Sequence, residues 1–203
     1  MFLIDALLQG ILMGLLFALV ALGLTVIFGV MDIVNFAHGE FLMLGMYTVY
    51  WINRLFGIDP LFALPVSALL GALLGLASYY WFIKYLLRGP AIAQLFGTFG
   101  LMLFLQYTAM FLFSADYRMI EKGLLVGKSL SVGPFVFDWT KLAAGILSLI
   151  AFVIVYYFMN RTKTGKALQA TALNKEAASY MGIKTERMNA IAWAIGGATV
   201  GIA

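Results

Sequence analysis

Long apolar stretches, interrupted by short polar ones, fill most of the chain. A helix needs about 20 apolar residues to cross the roughly 30 Å hydrocarbon core of a bilayer. Four stretches are close to that length and predict membrane-spanning helices, and a fifth begins another apolar helix at the end of the chain. In chain order the five are Ala6–Val30, Leu61–Ile83, Ala91–Phe113, Leu142–Met159 and Met188–Ala203.

A further apolar stretch, Phe41–Ile52, spans only about 18 Å as a helix and is too short to cross alone. The segment directly before it, residues 32–40, is polar. It is either a surface loop or part of a helix that enters the membrane, where charged groups are costly and usually functional. Spacing alone leaves both arrangements open. Its polar or ionisable side chains are Asp32, Asn35, His38 and Glu40.

Composition places the chain among integral membrane proteins. Its 203 residues are 64% hydrophobic and only 11% charged, whereas a soluble domain carries about 25% charged residues. Most glycines lie inside the apolar stretches, which is typical of packed helices and not of barrel strands. We therefore predict an all-α fold, a polytopic transmembrane helical bundle with about six membrane segments in one domain over residues 1–203. The abrupt apolar end predicts a C-terminally incomplete domain, with a naturally short last helix as the alternative.

Two glycine pairs have the GxxxG spacing that lets helix backbones approach closely. They are Gly10/Gly14 in the first apolar stretch and Gly71/Gly75 in the second. Chance occurrence in a glycine-rich chain is the alternative for each pair.

Metal and nucleic-acid functions find no support in the sequence. The chain has no cysteine and one histidine, which excludes thiolate sites and multi-histidine zinc sites. Its net charge of +4 is modest and does not indicate nucleic-acid binding. We expect no metal and no cofactor bound by this chain.

Basic residues in the polar segments predict the orientation. Asn160–Arg187 is rich in lysine and arginine, which places it in the cytoplasm by the positive-inside rule. Alternation then puts the N-terminus and Ser114–Lys141 outside, and the basic turn at Lys84 and Arg88 inside. A small β-hairpin is predicted in the outer segment by two short apolar runs flanking Gly133-Pro134, namely Leu130–Val132 and Phe135–Phe137.

A short helix is predicted inside the cytoplasmic segment, between Asn174 and Gly182. Asn174 is a favourable N-cap, Glu176 in the first turn suits the positive end of the helix dipole, and Gly182 is a natural stop. Its apolar face is formed by Ala177, Ala178 and Met181. Two interpretations are open, a helix lying on lipid headgroups and a helix docking into the groove of a partner.

Two motifs resemble one transporter family. The run Ile-Val-Asn-Phe-Ala-His-Gly-Glu-Phe at residues 33–41, preceded by Gly-Leu-Thr-Val-Ile-Phe-Gly at residues 23–29, is similar to the permease subunits of branched-chain amino acid ABC importers. The run from Arg161 to Ile183 resembles the ATPase-contacting loop of the same family. Urea and short-chain amide permeases share both motifs, so the motifs do not distinguish these substrates.

The resemblance implies a set of partners. They are a second permease subunit, two cytoplasmic ATPase subunits and an external solute-binding protein, in a bacterial inner membrane. The chain itself would be no enzyme, since its ATPase partners would use the ATP, and no Gly-x-x-x-x-Gly-Lys-Ser/Thr motif occurs in it. Asn174–Gly182 would be the coupling helix. The residues implied in ATPase coupling are Gly165, Asn174, Glu176, Ala177, Ala178 and Gly182.

The resemblance also implies a discontinuous or re-entrant helix at residues 32–40, near the translocation path. Asn35 would N-cap the helix that continues through Phe41, and His38 and Glu40 would lie in its first turns. These two side chains contact solute or instead pair structurally. The implied path or break residues are Asp32, Asn35, His38, Gly39 and Glu40. A secondary transporter or channel is the alternative of another class, but it needs no coupling helix.

Overall fold

The computed structural model describes residues 2–121, 123–132 and 135–203. Its elements, in chain order, are helices α1 (Phe2–Met31), α2 (His38–Phe56), α3 (Pro60–Leu86) and α4 (Ala91–Phe113), strands β1 (Ser129–Val132) and β2 (Phe135–Asp138), and helices α5 (Trp139–Arg161), α6 (Lys163–Leu173), α7 (Lys175–Tyr180) and α8 (Thr185–Ile202). Helix α3 contains a π-helical turn at Tyr79–Ile83. Helices α1, α3, α4 and α5 are long and apolar enough to cross a membrane. The predicted all-α polytopic bundle is confirmed.

Helix α8 lies at the centre and packs most closely against α3. A Cβ on Gly71 would collide with the carbonyl oxygen of Gly197, and one on Gly75 would collide with that of Trp193. Further along, a Cβ on Gly201 would collide with the Ser67 carbonyl oxygen. Only small residues permit this antiparallel backbone contact. The prediction of close packing at Gly71/Gly75 is therefore confirmed.

The second glycine pair behaves differently. A Cβ on Gly10 or Gly14 would meet nothing within 4 Å, because both residues lie on an exposed face of α1. The GxxxG pair in α3 thus packs against the backbone of another helix, whereas the pair in α1 contacts no other helix among the described residues.

The bundle has two distinct ends. We call the end that carries residues 162–184 the α7 end, and the end that carries residues 114–138 the hairpin end. Helix α1 begins near the hairpin end, where Lys141 Nζ donates to Gln9 Oε1 over 2.7 Å. It finishes at the α7 end, where Lys175 Nζ lies 3.8 Å from Asp32 Oδ2. This is the alternation that the basic residues predict, with residues 114–138 and 162–184 at opposite ends.

The hairpin end contains the predicted strands. Leu130 pairs with Phe137 and Val132 with Phe135 in an antiparallel register. The predicted turn at Gly133-Pro134 lies outside the described residues.

Capping residues explain why two helices begin or end away from the apolar limits. Asp138 Oδ1 accepts from Thr140 N at 2.9 Å, so α5 begins at Trp139 and not at Leu142. Helix α2 extends past Ile52 to Phe56 and stops at Gly57, whose φ of 66° is in the left-handed region.

Candidate functional site

The polar segment between α1 and α2 is a true break in the helices. Asp32 has a φ of +56°, which turns the chain away from the α1 axis just after its backbone N–H donates to the Phe28 carbonyl at 2.7 Å. Residues 32–35 then have no regular structure and residues 36–37 form a turn. The chain therefore reverses direction at the α7 end before α2 begins.

The start of α2 lies deep in the bundle. His38 Nε2 donates to the Val20 carbonyl over 3.0 Å, and Val20 is near the middle of the apolar stretch Ala6–Met31. From Val20 to Met31, α1 descends roughly 16 Å. Residues 32–35, which can extend by up to ~3.3 Å per residue, and the His38 side chain together return over this distance. The start of α2 is thus folded back against the middle of α1, as the re-entrant arrangement predicts, while its depth in a membrane stays a prediction.

Neighbouring helices satisfy part of this irregular backbone, as a low-dielectric interior demands. Thr98 Oγ1, on α4, donates to the Val34 carbonyl over 3.0 Å. Asn35 Oδ1 accepts from Ala37 N at 3.1 Å. The prediction that Asn35 is the N-cap of α2 is therefore wrong. The Asn35 side chain closes the turn before the helix, and Ala37 occupies the N-cap position.

Several buried polar atoms in this region have no hydrogen-bond partner among the described residues. Such atoms cost about 1–3 kcal/mol each if left unpaired, which makes this region a candidate polar site. Two of the four side chains lie at the break and two lie on α8. The start of α2 contacts α8 through the rings of Phe41 and Trp193, which meet edge to face with their centroids 6.1 Å apart. The atoms are Asn35 Nδ2, His38 Nδ1, Asn189 Oδ1 and Trp193 Nε1.

Asn189 and Trp193 were missed by the sequence reasoning. A lone asparagine in the apolar stretch 188–203 is a signal that could have identified Asn189. Nothing in the sequence alone distinguishes Trp193 from an ordinary interfacial tryptophan, since its complete burial depends on the close contact between α8 and α3.

The remaining predicted break residues are separated from this buried group. Asp32 is exposed at the α7 end, and Gly39 faces open space. Glu40 is partly buried in the first turn of α2. Among the described residues, His38 and Glu40 do not form an ion pair with each other, so His38 is held by α1 and not by its acidic neighbour.

Helix α7 is defined by strong signals at both ends. Asn174 Oδ1 accepts from Ala177 N at 2.9 Å, which confirms the predicted N-cap. At the other end Gly182 has a φ of +82°. Its N–H donates to the Ser179 carbonyl, and Ile183 N donates to the Ala178 carbonyl, at 2.9 and 3.0 Å. These two bonds form a Schellman motif, so six residues hold a helical conformation by local bonds.

The residues of the predicted apolar face of α7 do not all point to the same side. Ala178 is buried against the bundle, whereas Glu176 and Ala177 are exposed. Beside them the segment presents three large apolar side chains to the outside, two of which the sequence reasoning did not select. These are Leu173, Tyr180 and Met181, with exposures of 88%, 86% and 84%.

Gly165 lies inside the corner between α5 and α6. A Cβ there would collide with the Phe158 carbonyl oxygen, and Gly165 N donates to Thr162 Oγ1 at 3.0 Å. Gly165 is buried, so it orients α6 and does not offer a surface for a partner.

Loss of the N-cap is expected to loosen α7. Asn174→Ala removes the bond to Ala177 N and should destabilise the helix by about 1 kcal/mol. Hydrogen exchange at residues 176–182 measures this as a several-fold loss of protection. Asn160→Ala, which removes a 2.9 Å side-chain bond to the Tyr156 carbonyl at the end of α5, is the matched control. Unchanged exchange in Asn174→Ala would contradict the capping role.

Comparison with known proteins gives a consistent result. The family model described as "Branched-chain amino acid transport system / permease component" matches residues 6–203. The high-affinity branched-chain amino acid transport system permease protein LivH of Escherichia coli (strain K12) is 26% identical, over 100% of this chain and 70% of its own length. A probable LivH of Methanocaldococcus jannaschii is 31% identical, over 93% of this chain and 61% of its own length.

A more distant similarity involves a different cargo. The autoinducer 2 import system permease protein LsrC of Photorhabdus laumondii is 27% identical over 70% of this chain and 41% of its own length. No solved structure matches the chain.

Proposed function

The chain belongs to the family of permease components of branched-chain amino acid transport systems, and from this we propose that it is the membrane-spanning subunit of an ATP-driven importer of branched-chain amino acids. It assembles with a second permease subunit, two ATPase subunits that hydrolyse the ATP, and an external solute-binding protein. The α7 end faces the cytoplasm, and the hairpin end and N-terminus face outside. The membrane is the bacterial inner membrane.

The observation that carries this proposal is α7. A short helix, capped at both ends and seated through Ala178, presents Tyr180 and Met181 to the outside of the basic end. An apolar helix face of this kind suits a groove on a partner. Exposed Glu176 and Ala177 belong to the same docking surface, while Asn174, Gly182 and Gly165 position it.

A contact connects α7 to the break. Lys175, in the first turn of α7, faces Asp32, where the chain leaves α1. The Asp32 side chain is 82% exposed and that of Lys175 41%, so solvent screens the pair and it adds at most about 1 kcal/mol. The pair matters because it links α7 to the break. When ATP-driven closure of the ATPases moves α7, Asp32, at which the re-entrant segment begins, moves with it.

The break itself lines the translocation path. Interrupted helices are tolerated at membrane depth where they border a cavity, and their ends meet polar solutes. The unpaired atoms of Asn35 and His38 lie at the N-terminal end of α2, near half-depth. Glu40, which is partly buried, follows in the first turn of α2. In the occluded state we expect the side chains of Asn35 and His38 to pair with passing solute.

Labelling of introduced cysteines tests the position of the break, because the chain has no cysteine of its own. A cysteine replacing buried Ala37 is expected to resist a bulky, impermeant maleimide added from the cytoplasmic side. A cysteine replacing exposed Asp32 is expected to react readily. Equal reaction at the two positions would show that residues 32–37 form a loop at the cytoplasmic surface of the membrane.

Uptake by the reconstituted complex tests the function. The complex purified from the native host through a tag on this chain, in proteoliposomes, is expected to accumulate leucine, isoleucine or valine when ATP and the solute-binding protein are supplied. Accumulation of urea or a short-chain amide in place of these would assign the alternative substrate. Accumulation without ATP would assign a secondary transporter or channel instead.

A further inference from the structure

A cleft opens at the hairpin end, between the end of α2, the start of α3 and four residues of the segment between α4 and β1, namely Met119, Glu121, Gly123 and Leu124. Its volume is about 910 Å³, within the roughly 300–1,000 Å³ of small-molecule sites. Tyr50, Arg54 and Glu121 are among the residues that line it. In the proposed orientation this is the outer mouth of the permease.

Two guanidinium groups meet beside this cleft. Arg54 lies over the rings of Tyr50 and Trp51 at 6.0 and 5.8 Å, and Arg118 lies over the same rings at 5.6 and 5.4 Å. Cation–π contacts hold each group in place. In the part of the chain that the structure describes, no carboxylate lies within 4.0 Å of either arginine. Two like charges therefore stand together without a counter-charge.

Their hydrogen bonds reach only neutral oxygens. Arg54 Nη1 donates to Tyr50 Oη at 2.6 Å, and Arg118 Nη2 donates to the Phe113 carbonyl. Two further donors in the cluster, Trp51 Nε1 and Arg118 Nε, are buried and have no acceptor. A buried N–H without a partner is costly, and a buried charged one more so. Trp51 and Arg118 do not line the cleft themselves, but the charge of the two arginines favours an anion in the cleft beside them.

We propose that this cluster, Tyr50, Trp51, Arg54 and Arg118, is a reception site for the carboxylate of an amino acid entering the permease. It rests on the proposed function and narrows the substrate class to α-amino acids. Urea and simple amides carry no carboxylate, so they would not bind at this site.

The acidic residues that line the cleft suit the ammonium group of the same molecule. The Asp59 carboxylate already has hydrogen-bond partners, since its two oxygens accept from the backbone N–H groups of Leu61 and Leu124. Glu121 is exposed, lines the cleft and forms no ion pair among the described residues. Arg54 and Glu121 thus offer both charges that a zwitterion needs within one cleft, which has room for a branched side chain.

Tryptophan emission from the complex in lipid nanodiscs, without the solute-binding protein, tests this site. Leucine and isovalerate, which carry the carboxylate, are expected to shift the emission, while leucinamide and urea leave it unchanged. Trp51→Phe removes the shift and so assigns it to this indole. Arg54→Gln, an exposed position whose change disturbs little packing, and Arg118→Gln are each expected to weaken the response to leucine about tenfold to a hundredfold.

The matched control is Arg88→Gln, which removes a similar arginine–tyrosine contact, 5.9 Å to the Tyr85 ring, at the α7 end. It should leave the response intact. An equal response to leucinamide, or no response in a complex that imports leucine, overturns the site while the proposed function stands. A carboxylate response in a complex that imports no amino acid supports the site and removes the proposed function. If the arginine variants lose only binding of the solute-binding protein, the cluster is a docking surface and the proposal is wrong.

Discussion

Replacing Gly197 with leucine is expected to prevent the bundle from assembling. Any side chain on Gly197 collides with the backbone carbonyl of Gly71, and backbone cannot move aside as a flexible side chain can. Overpacking of a core costs about 1–3 kcal/mol when neighbours repack, and here we expect more because α3 and α8 must separate. The measurement is the yield of monodisperse protein in detergent and its thermal midpoint.

Gly10→Leu is the matched control for this prediction. It makes the same chemical change within the same glycine spacing, but a Cβ there meets nothing within 4 Å. We expect wild-type yield and thermal midpoint for Gly10→Leu, and loss of both for Gly197→Leu. Equal behaviour of the two variants would show that α3 and α8 do not touch as described.

Placing a tryptophan at Ala177 is expected to separate ATP hydrolysis from transport. Ala177 is exposed on α7, so the folded permease accommodates the larger ring without strain. A partner groove that accepts an alanine does not accept an indole, and such a misfit costs about 1–3 kcal/mol, or roughly tenfold or more in coupled turnover. ATP-driven uptake and solute-stimulated hydrolysis should therefore both fall, with membrane insertion unchanged.

Two companion variants sharpen this result. Glu176→Lys, which places a positive charge at the positive end of α7, is expected to act in the same direction. Ala91→Trp, at an exposed alanine that begins α4 on the same end of the bundle, should leave uptake normal. Normal solute-stimulated hydrolysis in Ala177→Trp would remove the docking role from α7.

Local chemistry explains which features could be predicted. The ends of α7 depend on residues within one or two turns, so Asn174 and Gly182 were sufficient to place it. Helix α4 matches its apolar stretch because Gly89-Pro90 precedes it and the polar segment after Phe113 follows it. The N-cap of α2 was misplaced, since Asn35 has two local uses and the sequence does not show which one the chain adopts.

The candidate site was only partly predictable for a related reason. Asn35 and His38 belong to a recognisable motif, but their depth comes from a contact with Val20 on another helix. Asn189 and Trp193 join the buried polar group because α8 crosses α3 at glycines. Contacts between distant parts of the chain leave no periodic trace in either segment.

By itself, the sequence determined the class of protein, the position of the apolar helices, the basic end and the family, because composition, apolar length and motifs are read from neighbouring residues. The tertiary structure alone decided that residues 32–37 turn back against the middle of α1, that Gly71 and not Gly10 packs against another helix of this chain, and that Ala178 faces inward. Each of these depends on which surfaces meet, and α8, the last helix in the chain, supplies the surface against which α1, α2 and α3 are arranged.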